Sequence, residues 1–222
     1  MQKLPLFLTG LGLALGTAAA PWAADAASAA ADWPEPGTLN FTVMRDGQPI
    51  GVSTVSLTHQ GDETTARVST HIQVKVAFFT VYRYDQTESE RWAAGHLLTM
   101  TSMTHDNGTT HQVTATREGD KLLVESDGRT SAVDPSLMPY NPWNAAVLNS
   151  RMALNTKDGS VTPVKVTDRG EERLVLHGRP LLAHRYSIRT SFPQDVWYDQ
   201  HHRLVQVELH GSDGSTIRYQ LG

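Results

Sequence analysis

Glu88 and Glu90 come nearest to chemistry by residue type and spacing. Side chains at i and i+2 of a strand share one face. A carboxyl pair can do acid–base work when its two groups oppose each other across a cleft with pKa values pushed apart. Within a strand the same spacing also describes a solvated polar face, and that is the expectation here. Ten histidines suggest a second chemistry, a zinc or copper site. Such a site needs three or four converging donors. His201 and His202 are adjacent in a turn and diverge. His105 and His111 flank Asn107-Gly108. A two-residue hairpin there pairs His105 with Thr110 and His111 with Thr104, so the two rings fall on opposite faces. His59, His71, His96, His177, His184 and His210 are scattered singly. No metal site and no cofactor is expected. G-x-S-x-G and S-x-x-K signatures are absent, as are phosphate-binding and dinucleotide glycine loops. A triad assembled from distant residues stays open, because triads are recognised by geometry.

The other candidates are aromatic. Tyr82, Tyr84, Trp92, Trp143 and Trp197 are the candidate ligand-binding residues. They could line an apolar cavity inside a curved sheet, or pack as ordinary core. Trp197 and Tyr198 are strand neighbours, so at most one of them faces any cavity.

These residues must be held by strands. Residues 38–45 and 50–59 flank Asp46-Gly47, a strong hairpin signal. From 66 to 76 the alternation is strict: Val68, Thr70, Ile72, Val74 and Val76 share one face. Residues 77–92 carry the densest aromatics, and Tyr82, Tyr84, Gln86, Glu88, Glu90 and Trp92 share a face if that strand is unbroken. Asn107-Gly108, Gly119-Asp120, Asp127-Gly128, Asp158-Gly159, Arg169-Gly170 and His177-Gly178 divide further strands. The chain closes in a meander over 192–221. In its middle strand, strict alternation puts Val205, Val207 and Leu209 on one face and Leu204, Gln206, Glu208 and His210 on the other. The one interruption, residues 134–151, contains Asn141 as N-cap and Pro142 as first residue of a short helix over 142–150.

The fold class is therefore all-β with one short helix. About a dozen strands with one polar face form a large curved antiparallel sheet, a half-barrel or open barrel, with a β-sandwich as the alternative. The 222 residues are 39% hydrophobic and 19% charged, with net charge −4, which suits one globular domain over 37–222 and gives no basic footprint for nucleic acid. Residues 1–26 read as a signal peptide: Lys3, an apolar run over 4–15 too short to span a bilayer, and an Ala24-Asp25-Ala26 cleavage site. Residues 27–36 are a small-residue and proline linker. Localisation is expected to be periplasmic, with no transmembrane span in the mature chain. There is no cysteine, hence no disulfide, no thiolate metal site and no cysteine nucleophile.

Several motifs together carry a resemblance. Residues 41–51 (FTVMRDGQPIG), Pro142-Trp143-Asn144, the Gly178…Ala183…Tyr186 run, and Trp197-Tyr198-Asp199 with Leu204-Val205 and Asp213-Gly214-Ser215 resemble a family of uncharacterised exported bacterial β-proteins. The similarity runs over most of residues 38–221. That family implies no activity. The strand order is more distantly similar to periplasmic half-barrels of the lipoprotein-carrier type, which implies a concave apolar face that holds acyl chains. Together these readings point to a non-enzymatic binder of an apolar or amphipathic ligand, a lipophilic small molecule, or of an envelope protein. The alternatives are an envelope hydrolase or isomerase with a fold-assembled polar site, and an assembly protein that uses its sheet edges.

Overall fold

The computed structural model describes residues 35–222. The expected signal peptide and all but the last two residues of the linker lie outside the described residues. Eight strands run in succession: β1 (Gly37–Arg45), β2 (Gln48–Gln60), β3 (Glu63–Val76), β4 (Phe79–Ala93), β5 (His96–Asp106), β6 (Thr109–Glu118), β7 (Lys121–Ser126) and β8 (Arg129–Val133). An insert follows, with β9 (Met138–Pro139), a 3-10 helix (Ala145–Asn149), β10 (Met152–Leu154) and β11 (Val161–Pro163). Five strands close the chain: β12 (Lys165–Leu176), β13 (Arg179–Arg189), β14 (Gln194–Tyr198), β15 (Leu204–His210) and β16 (Thr216–Leu221).

All strands outside the insert form one antiparallel sheet, in the order β12-β13-β14-β15-β16-β1-β2-β3-β4-β5-β6-β7-β8. Every neighbour in the sheet is a neighbour in the chain except β1 and β16, which pair from Phe41 with Leu221 to Arg45 with Ile217. The sheet is therefore a meander whose two open edges, β8 and β12, flank the insert. Type I′ turns set its register: Asp46-Gly47, Asn107-Gly108, Asp127-Gly128 and His177-Gly178 each place two successive residues at positive φ. The Asn107-Gly108 turn pairs His105 with Thr110 and Thr104 with His111. Bulges interrupt the pairing at Val43/Met44, Val74/Lys75, Arg91/Trp92, Asp168/Gly170 and Trp197/Tyr198. Bulges add local twist, and a sheet this wide must coil.

Coiling leaves a concave face, and the insert fills it. Trp143, Val147 and Leu154 of the insert are fully buried against Phe41, Val55, Val68, Trp92, Met100, Val113, Leu122 and Ile188 of the sheet. A smaller cluster, Leu174, Ala183, Trp197 and Val205, packs on the opposite face. Where a helix is expected over 142–150, the chain forms the 3-10 helix Ala145–Asn149. Its N-cap is Asn144, whose side chain accepts from the Ala146 amide at 3.0 Å, instead of Asn141. Asn141 is engaged elsewhere. Two alternation readings also change at bulges. Fully buried positions of β3 end at Ile72, Val74 lies half-buried, and Val76, beyond the Val74/Lys75 bulge, is exposed. In β15, Leu204 and Val207 face the main core while Val205 joins the outer cluster, because the Trp197/Tyr198 bulge offsets the pairing there.

Candidate functional site

Glu88 and Glu90 lie on β4 opposite Val68 and Ala66 of β3, and opposite Ser102 and Met100 of β5. That places both on the concave face, where they are 5% and 1% exposed. The expectation of a solvated face is overturned: the shared face is the inner one. Trp92 Nε1 donates to Glu90 Oε2 at 2.7 Å, and Trp143 Nε1 donates to Glu90 Oε1 at 3.4 Å. Asn141 Nδ2 donates to Oε1 of both carboxyls at 3.4 Å. Burial raises both pKa values. For Glu88, hydrogen bonds with Glu90, Asn141 and Thr156 offset part of the rise. Glu90 is pushed well above the ordinary carboxylate range, because the charge of Glu88 and the hydrogen bond to it add to burial and outweigh the two indole donors. Carboxyls that hydrogen-bond each other share a proton, since like charges at that distance do not both ionise.

Glu88 forms part of the wall of a chamber of about 170 Å³ between the sheet and the insert, together with Ser53, Thr70, Gln86, Asn141 and Thr156. The chamber continues into an open mouth of about 590 Å³, with Gln86, Tyr140, Pro142, Thr156, Gln194, Leu209 and Tyr219 on the walls of both. The lining of the mouth mixes apolar residues, Ile72, Val74, Val81 and Ile217, with polar ones, Arg45, Asp106, Lys157 and Asp213. Asp106 accepts from Tyr82 Oη at 2.9 Å and from Lys157 Nζ at 2.5 Å. Burial works to raise the Asp106 pKa, and the Lys157 and Tyr82 hydrogen bonds outweigh it, holding the carboxyl below its ordinary value. Tyr84 Oη donates to Gln86 Oε1 at 3.0 Å, and Gln86 Nε2 donates to Thr156 Oγ1 at 3.3 Å. A polar relay thus runs from the mouth to Glu88. Burial raises the pKa of Tyr82 and Tyr84 strongly and pushes Tyr140 and Tyr219 up to about 12. All four act as neutral hydroxyls.

The aromatic candidates divide three ways. Tyr82 and Tyr84 line the mouth, and Trp143 lines the chamber. Trp92 is buried behind Glu90 and borders neither space. Trp197 lies on the opposite face, donating to Glu172 Oε2 at 2.9 Å under the Arg185 guanidinium, so it is no part of this cavity. Its neighbour Tyr198 faces the core, and its hydroxyl donates to the Pro142 carbonyl at 2.8 Å. The histidines pair singly with aspartates: His71 with Asp85, His111 with Asp127, His184 with Asp168. Among the described residues no three His, Asp or Glu side chains converge as a metal site.

Residues 41–222 match the family model of DUF6134, a domain of unknown function. The chain belongs to the DUF6134 family. The β-barrel-like DUF1849 protein from Brucella abortus has a similar fold, with TM-score 0.64 at 9% identity over 86% of this chain and 97% of that one. A DUF1089 family protein from Pseudomonas aeruginosa aligns at TM-score 0.30 and 13% identity, over 83% of this chain and 90% of that one. No curated protein matches. The family and the β-barrel-like fold agree with the resemblance drawn from the ordered motifs and with the open curved sheet expected from the strand pattern.

Sequence reasoning missed Asn141, Thr156 and Lys157, which reach the site from the insert. No local signal marks them, because the site forms only when the insert enters the trough. The arrangement can hold a molecule with an apolar part against Ile72, Val74 and Ile217 and a polar part toward Lys157, Asp106 and the tyrosine hydroxyls. It also places a buried carboxyl pair, with pKa values raised by burial, at the end of the relay.

Proposed function

We propose that this DUF6134 protein is a non-enzymatic exported binder of an amphipathic small molecule, which it receives in the mouth of its trough. The observation that carries the reading is the mixed lining of the mouth: Ile72, Val74, Val81 and Ile217 share its wall with the hydrogen-bonded Tyr82–Asp106–Lys157 cluster, Val74 pairing directly with Tyr82. Apolar lining with a few placed polar groups is the general form of a small-molecule site. The expected leader at 1–26 places this binding in the periplasm. Native mass spectrometry of the protein purified from its host envelope tests the reading, together with titration of a fluorescent fatty acid. A bound amphiphile is expected, and Val74→Trp, which fills the mouth, should weaken the fatty acid by about tenfold or more, as loss of a buried apolar contact does. Absence of any co-purifying amphiphile, with no saturable fatty-acid binding, overturns it.

One observation favours a second reading, an acid–base hydrolase or isomerase: Glu88, one of two buried carboxyls bridged by Asn141, lines a chamber that opens to solvent through the mouth. A screen of glycan, ester and peptide substrates, with Glu88→Gln as the control, separates the two. A turnover that Glu88→Gln abolishes establishes the enzyme, and a flat screen removes it.

A further inference from the structure

Phe78 and Phe79, at the tip of the β3–β4 hairpin, are 97% and 76% exposed, and Val76 and Val81 beside them are 60% and 51% exposed. Apolar groups gathered this openly on a protein surface mark a contact with something apolar. The turn itself is tight: Ala77 takes φ 54° between the paired Val76 and Phe79. It projects the two rings into solvent. We propose that this tip inserts into an anionic lipid surface and seats the mouth of the trough on the bilayer.

Charge and spacing both fit a lipid surface. Residues 72–84 contain Lys75 and Arg83 and no acid, in a chain whose net charge is −4. Arg83 is paired with Asp85, and no ion pair engages Lys75 among the described residues. Lys75 pairs with Thr80, one rung behind the Val76–Phe79 rung that carries the tip. At about 3.4 Å per residue that sets its Cα about 7 Å behind the turn. Interfacial elements bury their apolar face to a depth of about 5–10 Å, so Lys75 would stand at the phosphate level with the phenyl rings below it. Tyr82 follows farther back, in the band where tyrosine anchors sit. The same two strands carry Val74, Val81 and Tyr82 into the mouth. Lipid-facing and cavity-lining residues therefore form one continuous apolar track. The inference stands on the hairpin and does not depend on the mouth holding a ligand.

The absence of cysteine makes the test direct, because Phe78→Cys creates a unique labelling site. Asp120→Cys, in the β6–β7 turn at the opposite end of the meander, is the reference. Each is expressed as the full chain, purified from the host, and labelled with an environment-sensitive fluorophore. Each is then mixed with vesicles of one part phosphatidylglycerol to three parts phosphatidylethanolamine. A blue shift at position 78 and none at 120 is expected. Phe79→Asp should lower vesicle partitioning by about tenfold or more, and Lys75→Ala by about fivefold on these vesicles but little on zwitterionic ones. A silent label at 78, equal shifts at 78 and 120, or unchanged partitioning of Phe79→Asp overturns the inference. So does a dimer in sedimentation that Phe79→Asp dissociates while vesicles stay unbound. Fatty-acid titration of Phe79→Asp in solution reports on the mouth separately, since this variant leaves the cavity walls intact.

Discussion

Replacing Glu90 by Gln keeps the shape of the buried pair and removes its need for a proton. In the native protein the pair must retain a proton that the unfolded chain gives up above a glutamate pKa of about 4.3. Folding therefore favours proton uptake by the pair, and the pair's own contribution to stability is fully present below that value. It falls by about 1.4 kcal/mol per pH unit as pH rises toward the raised native pKa of the pair. In Glu90→Gln the amide donates to Glu88 without a proton, while Trp92 and Trp143 still have an oxygen to donate to. The groups that face the pair, Asn141, Thr156, Trp92 and Trp143, do not titrate. The depressed carboxyls elsewhere, Asp106, Asp195 and Asp213 among them, lose their contribution only as pH falls through their own low values. They are common to both proteins and cancel in the difference. Between pH 5 and pH 7 the variant should gain on the wild type, at a slope that approaches about 1.4 kcal/mol per pH unit as its limit, read as a relative rise in Tm of a few degrees. Urea unfolding followed by tryptophan fluorescence at half-unit pH steps measures it. Parallel pH profiles, or a difference that shrinks as pH rises, would refute the shared proton.

Two further substitutions test how the trough is held together. Trp143→Ala removes the largest fully buried side chain of the insert and a donor to Glu90, and should cost about 3–5 kcal/mol in urea unfolding. Gly51→Ala places a Cβ 2.1 Å from the His71 carbonyl oxygen across the β2–β3 pair. The backbones cannot both stay in place, so stability should fall by about 1–3 kcal/mol, read as a lower urea midpoint with the m-value unchanged.

The sheet was legible in the sequence because its signals are local. Asp46-Gly47, Asn107-Gly108 and Asp127-Gly128 each encode a turn type and, with it, a register. Alternation then assigns faces, and it held through β3 as far as Ile72. It failed where a bulge adds a residue to one strand, at Val74/Lys75 and Trp197/Tyr198, since nothing in the residue types announces that offset.

The carboxyl pair shows where a reading by residue type misleads. Glu88 and Glu90 share their face with Tyr84 and Trp92 on β4, and their β3 partners Val68 and Ala66 belong to the most regular apolar face in the chain. Period and pairing therefore assigned the pair to the inner face, against its charge. Charge decides burial only when no partner is available, and apart from Trp92 on the same strand the partners here come from residues 141, 143 and 156, more than fifty positions downstream. Glu88 and Glu90 are in turn the acceptors that hold these residues in the trough. Neither the buried acids nor the insert's polar groups are tolerable in an apolar groove alone, since an unpaired buried carboxylate is among the most costly groups a fold can carry. The pair and the insert are thus conditions of each other. The cavity between them, with its proton, is a consequence of that mutual requirement and not of any motif in the chain.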